Sequence, residues 1–239
     1  VEKVIIILRG TPGDEAWCAR LRTNVAQKLL DTGVPGLAIN VRDDVVSESL
    51  MTLTTLNPPV LALVSMWTDQ YYGEQVRTAT TLLSNVCDQV AAYLVTESVP
   101  LAPPHTEPGR RTPGFANVAL LRRPAELDEA TWLARWHDDH TQVAIDTQST
   151  FGYTQNAVVR ALTDDSPPIS AIVEELFPIE ATSDLHAFFG AADDADLNDR
   201  MARMVASTSA FGANRDIDTV PTSRYVLRAA FAPKATLQP

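Results

Sequence analysis

The feature that most limits how this chain can fold is a segment that occurs twice. Glu15-Ala16-Trp17-Cys18-Ala19-Arg20-Leu21 aligns with Ala130-Thr131-Trp132-Leu133-Ala134-Arg135-Trp136, each residue 115 positions on, with Trp, Ala and Arg identical in place. Around each copy the order of elements is the same. In the first half, residues 3–9 form an apolar, β-branched run that reads as a buried strand. Residues 14–30 then carry Trp17, Cys18, Leu21, Val25 and Leu29 at the spacing of an amphipathic helix. Residues 37–41 and 60–67 read as strands, 74–92 as a second helix and 93–99 as a closing strand. Pro100, Pro103, Pro104, Pro108, Gly109, Pro113 and Gly114 follow, a composition that predicts a linker. The order then restarts: strand 117–123, helix 128–147, strands 151–162 and 169–177, helical stretches 183–190 and 195–207, and a last strand 225–230.

Both halves therefore read β-α-β-β-α-β, the ferredoxin-like split unit, whose antiparallel sheet has helices on one face only. The other face of each sheet is apolar and needs a cover, which a second copy in the same chain supplies. The expected fold class is α+β: two tandem ferredoxin-like repeats forming an intramolecular, pseudo-dimeric α/β barrel. Its divisions are 1–101, a Pro-rich linker at 102–114, and 115–239.

Composition narrows the partners. A formal net charge of −11 disfavours nucleic acid, which is bound through Lys and Arg that displace counterions from phosphates. No run approaches the roughly 18 apolar residues of a membrane helix. The apolar opening Val4–Leu8 is too short for a secretory signal, so no membrane association and a cytoplasmic location are expected. Cys18 and Cys87 lie far apart and are expected to pack as small hydrophobes. The chain shows no phosphate-cradling Gly loop, nucleophile elbow or dinucleotide fingerprint.

The richest chemistry lies in helix 128–147 and the strand after it. At about 100° per residue, His140 falls within the apolar arc, flanked by Trp136 and Leu133, while His137 sits at its margin. A buried imidazole must find a hydrogen-bond partner or a ligand, and its ordinary pKa suits proton transfer. A structural histidine bonded to a neighbouring hydroxyl or carbonyl is the plainer alternative. On the strand, Phe151, Tyr153, Gln155 and Ala157 share one face, with Gly152, Thr154 and Asn156 on the other, so Tyr153 and Asn156 cannot both face one site without a bulge. Elsewhere the signals are weaker. His105 and His186 read as exposed and structural, Glu174-Glu175 as cross-strand partners of Arg224 or Arg228, and Asp193, Asp194, Asp196 and Asp199 as helix-start acids without calcium-loop spacing.

The helix Leu127–His140, with its Trp136-x-x-x-His140 pattern, and the strand Gly152-Tyr153-Thr154-Gln155-Asn156 resemble the signature segments of the EthD family. The entry strand Val118-Ala119-Leu120-Leu121-Arg122-Arg123-Pro124 is similar to that family's opening, and the resemblance spans about 115–231. The usual Pro after the histidine is missing, since Thr141-Gln142 follows. The resemblance implies the dimeric α/β-barrel superfamily, whose members include cyclases, isomerases, monooxygenases and haem-handling enzymes. It also implies a single site, because the first half has Leu21 and Val25 where the second has Trp136 and His140.

The function expected is binding, and possible transformation, of a small apolar or aromatic oxygenated molecule by cofactor-free chemistry of the isomerase, cyclase, lyase or monooxygenase kind. His140 and Tyr153 are the candidate catalytic residues. Trp136, Phe151, Gln155, Asn156 and Leu133 are the candidate substrate contacts, with neither metal nor cofactor. The alternatives are a non-catalytic binder of a hydrophobic ligand, an accessory protein of a degradation pathway, and a haem-associated protein with His140 as axial ligand. A monomeric pseudo-dimer and a homodimer are both compatible with the sequence.

Overall fold

A computed structural model describes residues 1–230. The first half runs β1 (Glu2–Arg9), α1 (Glu15–Arg20), a π-helical turn (Leu21–Val25), α2 (Ala26–Leu30), β2 (Gly36–Val41), β3 (Val60–Thr68), α3 (Glu74–Ser84) and β4 (Gln89–Leu101). The second half runs β5 (Phe115–Leu121), α4 (Glu129–Ala134), a π-helical turn (Arg135–His140), α5 (Thr141–Thr147), β6 (Gly152–Ala161) and β7 (Ala171–Phe177). A 3₁₀ turn (Ile179–Thr182), α6 (Leu185–Phe189), α7 (Asp194–Phe211) and β8 (Asp218–Arg228) complete it. The last nine residues of the expected second division lie outside the described residues.

The eight strands close into an antiparallel barrel in the order β1-β3-β2-β8-β5-β7-β6-β4. Within it each half keeps the same internal order: its first and third strands are central, its second and fourth are edges. The two halves meet along those edges, β2 against β8 and β4 against β6. The expected α+β pseudo-dimeric barrel is thus present, with the seam made by edge pairing as well as by apposed faces. Pairing is the physically economical choice, since it removes all four open sheet edges. The lumen holds one apolar cluster drawn from both halves, including Ile5, Ile7, Leu63, Tyr93, Val118, Leu120, Ile172 and Val220. Alternate residues of the same strands face outward under the helices and form separate cores, one per half.

Several expected boundaries shift. The second helix of the first half stops at Ser84 and not at residue 92, because Val90, Ala91 and Ala92 are taken by β4 to pair with β1. Cys87 therefore lies past the helix, half-buried against the first-half core, while Cys18 is fully buried. β4 also runs through Pro100 to Leu101. An edge strand tolerates a proline where no ladder N–H is needed. The linker beyond it is tied down, with Gly109 N–H donating to Val226 O and Thr112 N–H to Arg224 O.

Candidate functional site

The two π turns occupy equivalent places, since a step of 115 carries residues 21–25 onto 136–140. Each inserts a residue into its helix, a distortion frequent at functional sites. In the second half the buried positions consequently recur every fourth residue: Trp132, Trp136, His140 and Ala144. This stripe faces the outer surface of the sheet. Between it, α7 and β5, β6 and β7 lies a cavity of about 280 Å3.

His140, Trp136 and Tyr153 line that cavity, so three of the expected site residues are brought together. His140 is 7% exposed, and its Nδ1 lies 2.9 Å from Ser207 Oγ of α7. Burial pushes its pKa down to about 4, so the ring is neutral at physiological pH. In the tautomer whose Nδ1–H donates to Ser207 Oγ, the other nitrogen, Nε2, keeps a free lone pair. The Phe211 ring packs 4.8 Å from the imidazole, centroid to centroid. Trp136 is fully buried, and its indole N–H has no hydrogen-bond partner although Tyr153 stands beside it. Burial drives the Tyr153 phenol well above its usual range, keeping it neutral.

The other expected contacts lie elsewhere. Strand alternation sends Asn156 into the barrel lumen, where its Nδ2 donates to Ile172 O at 2.9 Å. Gln155 points outward like Tyr153 but is spent on the helix, its Nε2 donating to Thr141 Oγ1 at 2.8 Å. Phe151 precedes the strand and packs near Gly114. Leu133 is displaced from the cavity because the π turn draws the buried stripe into four-residue steps; it lines a surface groove beside Ala157 and Val158.

Two residues on neighbouring strands join the site without having been expected there. Glu175 of β7 faces the cavity, one pleat away from Glu174, which points into the lumen and pairs with Arg224 at 2.7 Å. The Glu174 pairing follows the sequence expectation; Glu175 departs from it, having no cation. Gln148 serves it instead: turned so that its amide satisfies its neighbours, its nitrogen donates to Glu175 Oε1 at 3.1 Å. Burial raises the Glu175 pKa to about 8. Asn117 of β5 stands opposite Glu175 in the sheet register, buried, with its Oδ1 unpartnered. The sequence signal for both was alternation: Asn117, Ala119 and Leu121 share a strand face, as do Val173 and Glu175.

The first half lines one side of the cavity mouth. Residues 42–58, the connection between β2 and β3, cross to the second half and bring Leu50, Met51 and Leu53 to the lining. Leu50 N–H donates to Thr182 O at 2.8 Å, and Leu53 bridges to Thr219. Buried Asp218 anchors the end of the segment, accepting from Thr55 N–H (2.6 Å), Thr55 Oγ1 (2.8 Å) and Leu56 N–H (3.0 Å), while Arg122 pairs with it at 2.8 Å.

The remaining expectations resolve locally. His186 Nε2 sits 3.0 Å from Asp194 Oδ1, outside the cavity. Asp193 caps α7 by accepting from Asp196 N–H, and Asp196 engages Arg200. Among the described residues, no three His, Cys, Asp or Glu side chains are placed to share a metal ion, and no helix is long and apolar enough to cross a membrane.

Fold and cavity together define a single-chain α/β barrel of the dimeric kind with a helix-covered cleft on its second half. No family model matches the chain, and no curated protein matches it. Among solved structures, an anthrone oxidase-like protein superposes with a TM-score of 0.52 at 8% identity, covering 97% of this chain and 96% of that one. A chlorite dismutase variant from Candidatus Nitrospira defluvii gives a TM-score of 0.49 at 11% identity, covering 94% and 91%. At such identities the likeness is one of fold.

Proposed function

We propose that this chain is an EthD-like protein that binds a small apolar or aromatic oxygenated molecule in the cavity beside His140 and transforms it by cofactor-free acid/base chemistry. The observation that carries this reading is the convergence of His140, Tyr153 and Trp136 on one largely apolar cavity of about 280 Å3. Such a combination, mostly hydrophobic walls with a few placed polar groups, is what small-molecule sites share. Neutral His140, oriented by Ser207, is the base; Nε2 takes a proton from a carbon beside a carbonyl, and Tyr153 and Trp136 hold the oxygen. Isomerisation, cyclisation and lyase steps all begin this way. No nucleic acid or membrane partner is proposed, the location proposed is cytoplasmic, and the single chain completes the site.

The test is a panel of aromatic ketones and phenols screened by thermal shift and then for turnover, on wild type and His140→Ala. Turnover by wild type that drops at least a hundredfold in the variant, with ligand-induced stabilisation retained, supports the proposal. Equal stabilisation of both proteins with no turnover by either makes the cavity a carrier site and His140 a structural residue.

A further inference from the structure

Glu175 is a buried acid that neither an ion pair nor a fold requirement explains. It lies on the central strand β7, with Asn117 and Tyr153 as its cross-strand neighbours. Facing it from the helices are His140 and Gln148, and from α7 Met204, Thr208 and Phe211. From the first half come Leu50, Met51 and Leu53. His140 and Tyr153 are the only other titratable groups in that lining, and no Lys or Arg is among them. A carboxylate there has no counter-ion, so the neutral acid is the form the surroundings accept. Gln148 occupies Oε1, and Oε2 has no protein partner among the described residues. Trp136 Nε1 and Asn117 Oδ1 nearby are enclosed and without a protein partner that meets hydrogen-bond geometry.

We infer that Glu175 is a proton-bearing partner of His140 across the cavity, and that the bound molecule is an uncharged arene carrying a carbonyl or hydroxyl oxygen held by the Glu175 O–H. The inference rests on the cavity being the ligand site proposed above. The rival ligand classes fit less well. An organic anion meets no Lys or Arg, its charge opposes ionisation of Glu175 and Tyr153, and it must draw a proton onto buried His140. An ammonium ion requires Glu175 to ionise against its burial. A neutral oxygen compound accepts from the Glu175 O–H with no change of charge at any neighbour. During proton abstraction the C–H bond breaks, its proton goes to His140 Nε2, and the electron pair moves onto the carbonyl oxygen. The Glu175 O–H faces that growing negative charge, as an oxyanion donor does. A raised carboxyl pKa, already evident here, suits the role.

Two measurements separate this inference from the reading beneath it. Tryptophan fluorescence is titrated with 1-naphthol, 1-naphthoate and 1-naphthylmethylammonium, and infrared difference spectra compare wild type with Glu175→Gln. We expect naphthol to bind at least tenfold more tightly than either ion. Glu175→Ala, folded by circular dichroism, should weaken naphthol about tenfold, and Glu175→Gln, which keeps a donor, should restore most of the loss. The neutral-pH spectrum should contain a protonated-carboxyl C=O stretch that is absent in Glu175→Gln and shifts when naphthol is added. Tight ammonium binding, or naphthol binding indifferent to Glu175→Ala, overturns the role of Glu175 while sparing the pocket. Binding of none of the three probes, with His140→Ala also without effect on any ligand of the broader panel, overturns the pocket itself.

Discussion

In the first half of the barrel, Leu21 and Val25 occupy the π turn between an apolar core and a surface groove, whereas in the second half Trp136 and His140 stand in the same places beside a cavity under α7. The anchoring of the two helices is otherwise alike. Trp17 Nε1 donates to Val86 O just past α3, and Trp132 Nε1 donates to Phe211 O at the end of α7. Each indole therefore ties the first helix of its half to the far end of the second. The sheet beneath differs as the helix does. Glu175 pairs with Asn117 as Thr68 pairs with Glu2, but Thr68 Oγ1 is satisfied at 2.6 Å by Gln75 Oε1 from α3. Asn117 Oδ1 has no such partner. α7 spans 18 residues after an extra turn and α6, against 11 for α3, and its Met204, Thr208 and Phe211 line the cavity.

This contrast can be broken most severely at the strap between the halves. Asp218→Ala removes the acceptor for two backbone N–H groups and the Thr55 hydroxyl, and one of the two carboxylates beside Arg122, which keeps Asp216. A loss of about 2–4 kcal/mol in urea denaturation is expected, with cavity ligands weakened as residues 42–58 loosen. A change below about 1 kcal/mol would show that Asp218 does not anchor the strap.

A second test uses pH. Glu175 ionises near 8 in the folded protein against an ordinary 4.5, so the folded state binds the extra proton between these values and stability falls as pH rises through them. His140 has the opposite sign: its pKa of about 4 lies below the ordinary 6.5, so stability falls as pH drops through that window. The two slopes oppose each other between pH 4.5 and 6.5, leaving pH 6.5–8 to report Glu175 alone of the pair. Over that interval wild type should lose up to about 1.4 kcal/mol per pH unit relative to Glu175→Gln. Thr68→Val, at the equivalent place in the first half, should leave the profile's shape unchanged. Parallel curves for wild type and Glu175→Gln would remove the buried acid from the account.

The smallest effect should be equal in the two halves. Asp14 caps α1 by accepting from Trp17 N–H at 2.7 Å, and Asp128 caps α4 by accepting from Thr131 N–H at 2.9 Å. Replacing either by Ala should cost about 1 kcal/mol in thermal or urea denaturation. Only Asp128→Ala should also weaken ligand binding, since its helix carries His140. Unequal stability losses would mean that the halves differ in the helix starts as well as in the site.

Much of this was legible in the residues themselves. Trp17 and Trp132, each followed by Ala and Arg at the same spacing, pointed to two halves of like element order, and period-two and helical spacing placed nearly every element. His140 and Trp136 were identified from a helical projection, and Tyr153 from alternation along its strand. Phe151, Leu133, Gln155 and Asn156 do not line the same cavity. The π turn altered the helical phase, Thr141 claimed Gln155, and strand alternation turned Asn156 inward. Local periodicity is a property of neighbouring residues, so the chain alone determined most of its elements and their order. Three things required the closed barrel: that residues 42–58 reach a cavity in the other half, that Glu174 meets Arg224 while Glu175 meets no cation, and that Asn117 stands opposite Glu175. Each depends on strands far apart in sequence being brought into register, and that register is set by the whole ring of eight strands at once.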